Sequence, residues 1–415
     1  HFFVRLRSGK IPFYKVGLFQ MMPYRTFVLV LCLFIVGCAS VVRNPVPEAD
    51  HMDVTVLGNP EARQWGDGRQ VRSLPIGEQE ELEKRFGGVM HTEHNYLVIS
   101  GGGPRGAYGA GVLTAWTRMG TRPEFTIVTG VSTGALTAPF AFLGSKYDQQ
   151  LETVYTTLDT RQIINTRNFF AILGGDSIVD TSPLKSLIDK LIDDEVIADM
   201  AREYRRGRQL LVGTTNLDAG RPVVWNLTRM AASEHPGSGK LIRQVLLASA
   251  SIPGAFPPVY IEVETPDGRK YDEMHVDGGA SSQMFFYPAR MNFQDVMERL
   301  DVKGTPRIYV IRNAFVRPDY KTISPRLLPI AGRTIDSLIR TQGIGDFFRI
   351  GTLADRDGMD FEFTYIPDDA NEVIGVKPTE EFDPNYMKAL FKYGQQRTLE
   401  GEAWTNFFDL LKTAE

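Results

Sequence analysis

The 415-residue chain has two cysteines, and both, Cys32 and Cys38, lie near its start. No thiol remains after Cys38, so the rest of the chain holds neither a disulfide nor a cysteine nucleophile. Histidine is scarce, with six in the whole chain, which leaves few candidates for the usual general base. The one long apolar run, Phe27–Val36, is too short to span a bilayer as a helix. A basic surplus is missing as well. The formal charge is -4, and residues 1–37 contribute five bases (Arg5, Arg7, Lys10, Lys15, Arg25) and no acid, so the remainder carries -9. A nucleic-acid partner would call for a basic face, and this charge balance argues against one. The remaining composition, 43% apolar and 23% charged, is that of a globular chain able to bury a large core as one large domain or two small ones.

Phe27–Val36 has the length of a signal-peptide h-region, with Arg25 just ahead of it. The chain opens on His1, while Met21 and Met22 offer a start from which a short basic segment would run to Arg25, leaving residues 1–20 upstream. Ile35-Val36-Gly37-Cys38 resembles the lipobox of bacterial lipoproteins. That resemblance implies a signal peptide over 1–37, cleavage before Cys38, lipidation of its thiol and anchorage in the cell envelope. Ala39 in the next position leans toward the outer membrane, facing the periplasm, in a Gram-negative cell. Residues 38–90, with Pro45, Pro47, Pro60 and Pro75 and little periodicity, read mostly as a tether with a reach of about 40 Å. A catalytic domain with a C-terminal helical extension is expected over 91–415.

Within that domain, Tyr96–Ser100 and Phe125–Thr129 read as buried parallel strands, each followed by a helix, over Ala107–Met119 and Thr133–Leu143. Pro183–Met200 reads as one amphipathic helix, with Leu184, Leu187, Ile188, Leu191 and Ile192 on a single face. Strands are expected at Gln209–Thr215, Val223–Leu227, Met274–Val276 and Arg307–Ile311, and a helix at Leu241–Ala250. Residues 320–360 look mainly helical, Phe361–Tyr365 forms a strand, and Pro384–Leu411 reads as a closing helix. Strands alternating with helices indicate an α/β fold around a largely parallel sheet.

The chemistry gathers in three glycine-bearing segments. Gly130-Val131-Ser132-Thr133-Gly134 places a serine on a tight strand-to-helix turn. Gly101-Gly102-Gly103-Pro104-Arg105-Gly106 offers backbone amides around Gly102 and Gly103 that suit an oxyanion. Asp277-Gly278-Gly279 sets a carboxylate at the end of a strand, where α/β sheets assemble their sites. The loop also fits the dinucleotide pattern Gly-x-Gly-x-x-Gly, which asks for an acid at the end of the next strand; Glu124 precedes that strand instead. Serine needs a base. His51 falls in the tether, His91 and His94 precede the first strand, His235 sits in a polar loop, and His275 reads as a buried core or supporting residue. Asp277 is therefore the better base, provided burial raises its pKa. Arg105 could bind an anionic head group or brace the loop through a salt bridge. Phe169–Leu173 could be a lipid-facing lid, although a packing segment fits better.

With Ala248-Ser249-Ala250-Ser251-Ile252-Pro253-Gly254-Ala255-Phe256-Pro257-Pro258 lying between serine and aspartate, and Thr214-Thr215-Asn216-Leu217-Asp218 followed by Gly220 ahead of it, the sequence resembles the patatin-like phospholipases. The resemblance runs from about Tyr96 to Ala280. It implies a three-layer α/β/α fold and a Ser132–Asp277 dyad that cleaves acyl esters of lipids without metal or organic cofactor. It also implies an elbow bounded by Gly130 and Gly134, and an oxyanion hole from Gly101, Gly102, Gly103, Arg105 and Gly106. One departure is Ala280-Ser281-Ser282-Gln283, where many members continue with asparagine and proline. An acyltransferase or general esterase on the same fold, and a non-catalytic lipid-binding lipoprotein, are the alternative readings.

Overall fold

A computed structural model of the protein describes residues 43–68, 79–166, 179–318, 320 and 322–406. Cys38, the apolar run before it and the Phe169–Leu173 segment lie outside the described residues.

Ten strands form one sheet: β1 (Arg63–Trp65), β2 (Glu93–Ile99), β3 (Ile127–Val131), β4 (Gln209–Asn216), β5 (Arg221–Asn226), β6 (Val259–Glu264), β7 (Lys270–Asp277), β8 (Lys303–Phe315), β9 (Asp360–Ile366) and β10 (Thr405–Asn406). Their order is β1-β5-β4-β3-β2-β8-β9-β10, and the β6–β7 hairpin joins through β7 to β4. The five central strands, β4, β3, β2, β8 and β9, run parallel. The margins are antiparallel. Tyr96–Ile99 reads as an unbroken apolar run because both of its faces are covered. Leu97 and Ile99 enter one core cluster, and Tyr96 and Val98 enter another on the opposite face.

Eight of the thirteen helices among the described residues position the sheet and its loops: α1 (Gln79–Phe86), α2 (Gly106–Arg118), α3 (Thr133–Leu143), α4 (Ser182–Leu191), α5 (Asp194–Arg205), α6 (Ser238–Ser249), α7 (Leu327–Arg356) and α8 (Pro384–Leu399). Residues of α2, α3, α6 and α8 pack into the first cluster, while Phe347, Ile350 and Ala354 of α7 pack into the second. The result is the three-layer α/β/α arrangement expected from the sequence. The first half of α7 is largely uncovered and exposes Leu327, Ile330, Ile335 and Leu338. Among the described residues, no helix is long and apolar enough to cross a membrane.

Three expectations are corrected. The single helix over Pro183–Met200 is two, because the Asp193 carboxylate caps a new start by accepting from the Val196 amide (2.9 Å). The closing helix stops at Leu399; Gly401 adopts a φ of 78°, and the chain returns as β10 on β9. The tether reading of 38–90 does not hold for its described part. Residues 43–68 belong to the domain: Val54, Val56 and Ala62 are core residues, β1 extends the sheet, and Arg43 pairs with Asp218 (2.7 Å) and Asp272 (2.9 Å). Leu82 and Phe86 of α1 pack with Val89, Met90 and Leu300. Isolated apolar residues separated by prolines carry no period, so nothing local announces this packing.

Helices α2 and α8 cross with their backbones in contact. A β-carbon on Gly111 would stand 2.0 Å from the Phe391 carbonyl oxygen, and one on Gly394 would stand 2.4 Å from that of Tyr108. Gly111→Ala is expected to cost about 1–3 kcal/mol of stability through overpacking, measured by denaturant unfolding. Gly332→Ala, on the uncovered half of α7 with nothing within 4 Å, should instead stabilise by about 0.5–1 kcal/mol.

Candidate active site

The site sits at the C-terminal ends of the parallel strands, where the loops after β2, β3, β8 and β4 converge. β3 runs straight into Ser132, and α3 begins at the next residue. The turn is tight because the backbones touch: a β-carbon on Gly130 would lie 2.5 Å from the Gly134 oxygen, and one on Gly134 would lie 2.3 Å from the Ile99 oxygen. Ser132 itself takes φ 57° and ψ -127°, a left-handed conformation unusual for a residue with a side chain. Its amide donates to the Ser249 hydroxyl (3.1 Å), which in turn donates to the Gly213 carbonyl (2.7 Å).

Asp277 closes β7 opposite Thr214 of β4. Its amide donates to the Ser251 carbonyl (2.8 Å), and its carboxylate accepts from the Gly279 amide (2.7 Å). The Ala248–Gly254 segment therefore braces serine and aspartate alike, through Ser249 and Ser251. Ser132 and Asp277 are 8% and 5% exposed, and the Ser132 side chain is near enough to the Asp277 carboxyl to lower its pKa. Burial pushes the Asp277 carboxyl up to about 6, against the lowering effect of the Ser132 and Gly279 hydrogen bonds. That is the direction a base for serine needs.

The loop after β2 comes within contact of the elbow, since a β-carbon on Gly101 would stand 3.0 Å from the Ser132 β-carbon. Gly102 adopts a φ of 157° and lies under Asn313 of β8, whose oxygen would be 2.3 Å from a β-carbon there. Asn313 holds the loop: its amide donates to the Ser100 hydroxyl (2.9 Å), its side-chain nitrogen donates to the Ser100 carbonyl (3.1 Å), and its side-chain oxygen accepts from the Gly109 amide (3.1 Å). Among the described residues, neither the Gly102 nor the Gly103 amide has a protein acceptor. Gly106 opens α2 and packs toward Thr133 and Tyr155. Arg105 is half-buried, with its guanidinium 5.9 Å over the Phe315 ring and no ion pair among the described residues; the salt-bridge reading of it loses its support.

The histidines lie elsewhere. His275 is fully buried between Thr214 (3.0 Å) and Glu273 (3.0 Å), with its pKa lowered by burial. His94 lies inside β2, between the Tyr96 hydroxyl and the Val89 carbonyl. His51 stacks edge-on against Trp65, His91 meets Asp301, and His235 is exposed. Glu124 pairs with Arg206 at the far end of β3 from Ser132, so it offers nothing to a nucleotide at the glycine loop.

Two further residues shape the site without any motif to announce them. Gln283, in the departure segment, donates its side-chain amide to the Gly279 carbonyl (3.0 Å), and its side-chain oxygen would stand 3.1 Å from a β-carbon on Gly101. Asp346 of α7 accepts from the amides of Gln283 (2.6 Å) and Met284 (3.3 Å) and from the Ser282 hydroxyl (3.0 Å). The C-terminal third thus pins the turn after Asp277.

The match of residues 97–290 to a family of lipid-ester hydrolases supports that class of activity for the chain. Residues 97–290 match the family described as patatin-like phospholipase, and the chain carries a patatin-like phospholipase domain. No curated protein matches the chain. Among solved structures it is similar to VipD from Legionella pneumophila (13% identity, 76% of this chain and 68% of that one, TM-score 0.36). It is also similar to Pseudomonas aeruginosa ExoU, solved with SpcU (14%, 76% and 54%, TM-score 0.32), and to human GIVD cytosolic phospholipase A2 (11%, 83% and 66%, TM-score 0.35). The chain spans about half the length of ExoU.

The raised Asp277 pKa has a sign that can be measured. In the unfolded chain the carboxyl ionises near pH 4; in the folded protein it ionises near 6. Between these values the native state holds the extra proton, so stability falls as pH rises through the window. Asp277→Asn keeps the acceptor oxygen and removes the charge. It should melt higher than the parent at pH 7, by up to about 3 kcal/mol, and the gap should close near pH 4 when melting temperatures are compared across pH.

Proposed function

We propose that the protein is a serine acylhydrolase that cleaves the acyl esters of phospholipids through a Ser132–Asp277 dyad. The observation that carries this reading is the buried pair itself: a strained elbow serine beside an aspartate whose pKa burial raises to about 6. Ser132 Oγ attacks the ester carbonyl while Asp277 takes the hydroxyl proton. The tetrahedral oxyanion faces the amides of Gly102 and Gly103, held in the loop that Gly101 and Gly106 bound. Collapse breaks the ester bond, and the departing alcohol or lysolipid takes the proton from Asp277. Water, deprotonated by the same carboxylate, then attacks the acyl-serine and releases the fatty acid. This route uses no metal or organic cofactor.

Fatty-acid release from phospholipid vesicles is the test. Ser132→Ala and Asp277→Asn, both shown to be folded, should each lose about 10³-fold or more of the parent's rate. A folded Ser132→Ala variant that keeps the parent rate would sink the dyad. Transfer of the acyl group to an added alcohol in preference to water would make the enzyme an acyltransferase on the same dyad.

We further propose that a lipid on Cys38 anchors the domain in a bacterial cell envelope. Arg43 is fixed by Asp218 and Asp272, beyond the C-terminal end of β4 and so on the side of the sheet that bears Ser132. Five residues of chain reach at most about 17 Å, so the anchor would hold that side close to the bilayer. Cys38→Ala should move the protein from the membrane fraction to the soluble fraction; retention in the membrane fraction would refute the anchor.

A further inference from the structure

The largely uncovered first half of α7 begins on the side of the sheet that bears Ser132. β8 ends on that side at Phe315, and its parallel neighbour β9 starts from the opposite side at Asp360, so α7 descends from one side to the other. Gly343 and Asp346 mark the level of the turn after Asp277. A β-carbon on Gly343 would lie 3.5 Å from the Gln283 side chain, and Asp346 accepts from the Gln283 amide (2.6 Å). Residues 327–342 come before that level. At 1.5 Å per residue they carry the helix about 24 Å past it.

This half presents an apolar face that the fold does not use. Leu327, Ile330, Ile335 and Leu338 are 81%, 51%, 50% and 64% exposed. At about 100° per residue all four fall within an arc of about 140°. Thr334 is the polar residue inside that arc, and its hydroxyl donates to the Ile330 carbonyl (2.9 Å). The face can therefore leave water without stranding a donor. Asp336 lies on the opposite side of the helix, paired with Arg333 (3.1 Å).

Charge and area decide what covers the face. Residues 316–342 hold five bases (Arg317, Lys321, Arg326, Arg333, Arg340) against two acids (Asp319, Asp336), a net +3, whereas residues 38–415 as a whole carry -9. Arg326, Arg333 and Arg340 recur at every seventh residue and so run along one flank of the apolar face. Pairing with a second copy would bring like charges together. Four aliphatic side chains also offer at most about 500 Å² of apolar surface, short of the about 800 Å² per partner of a stable interface. An apolar face with a basic flank instead suits the boundary between acyl chains and anionic head groups.

We propose that the first half of α7 docks on an anionic lipid bilayer, with its four aliphatic side chains among the outer acyl chains and its arginine flank at the head groups. A contact of this size is weak and reversible. It orients a domain tethered nearby, and by itself does not hold one against washing. Residues 316–342 lie beyond the matched segment 97–290, so the docking face belongs to the C-terminal third. It is separate from the place of the substrate at Ser132.

The test reads the helix face directly, in the full chain with Cys32 and Cys38 replaced by alanine. A polarity-sensitive fluorophore on Thr334→Cys should shift to the blue on vesicles of phosphatidylethanolamine and anionic phosphatidylglycerol, and should be quenched by spin labels on the acyl chains. The same label on Asp336→Cys, across the helix, should do neither. Leu327→Asp combined with Leu338→Asp should raise the lipid needed for half the shift by about 10²-fold, and Arg326→Gln should raise it by about 5-fold. All these positions are exposed, so each variant should melt with the parent. No shift at Thr334, equal shifts at both labels, or an undiminished shift in the double aspartate variant would each overturn the proposal. A shift that grows with protein concentration in the absence of lipid would assign the face to a second copy. An equal response to vesicles of neutral phosphatidylcholine would overturn the anionic assignment. Fluorescence is read without turnover, so a failed dyad and a failed docking face are told apart.

Discussion

The top of the sheet depends on how closely backbones approach one another around Ser132. The Gly134 backbone rests on the Ile99 carbonyl, Gly130 rests on the Gly134 carbonyl, and the Gly101 loop comes down onto the serine. Those approaches force the left-handed turn at Ser132, a conformation costing on the order of 1–3 kcal/mol. It persists because its surroundings are rigid. The buried α3 follows at once, and the Ser249 hydroxyl ties the serine amide to the Gly213 carbonyl of β4. The same β4 pairs with the end of β7, so nucleophile and carboxylate are referred to one strand.

Three titratable residues at alternate positions of β7 share one face and meet three different fates. Burial alone would raise Glu273, but Arg63 and His275 bring it down to about 2. His275, fully buried, is held neutral-leaning by desolvation and is spent on Thr214 and Glu273. Asp277, at the strand's end, has no cation beside it among the described residues; its neighbours are the Ser132 side chain and the Gly279 amide, so burial wins and its pKa rises. The difference lies in which neighbours carry charge. An ion-paired network stiffens the strand up to the point where it delivers an unpaired carboxyl to the serine.

Much of this was legible in the sequence where local rules apply. Helix Thr133–Leu143 and the strand around Tyr96–Ile99 follow from glycine punctuation and apolar runs. The histidine census alone turned attention to Asp277. What stayed hidden depends on distant pairing. Ser249 carries no local signal of a role, which appears only once α6 abuts the elbow. Gln283 and Asp346 meet across more than sixty residues of chain. Val54 and Val56 gave no period because single side chains, rather than a face, enter the core. The break at Ile192–Asp193 was readable in principle, since aspartate before Asp194-Glu195 is a cap signal, but the apolar stripe running through it was stronger.

The two ends of the sheet carry a consequence for where the unit begins and stops. β1 and β10, three and two residues long, are the shortest strands of the sheet and cover β5 and β9 at its margins. Such stubs leave little free backbone for another chain to join. β8 and β9, too, lie beyond the matched segment 97–290. Cut to that segment, which begins at Leu97 inside β2, the sheet would lose β8 and leave the rest of β2 as its border. A row of bare amides and carbonyls, flanked by wholly apolar side chains, would then face the solvent as a template for strand addition. The smallest piece that keeps β2 covered therefore extends well past the last motif to the strands that shield it.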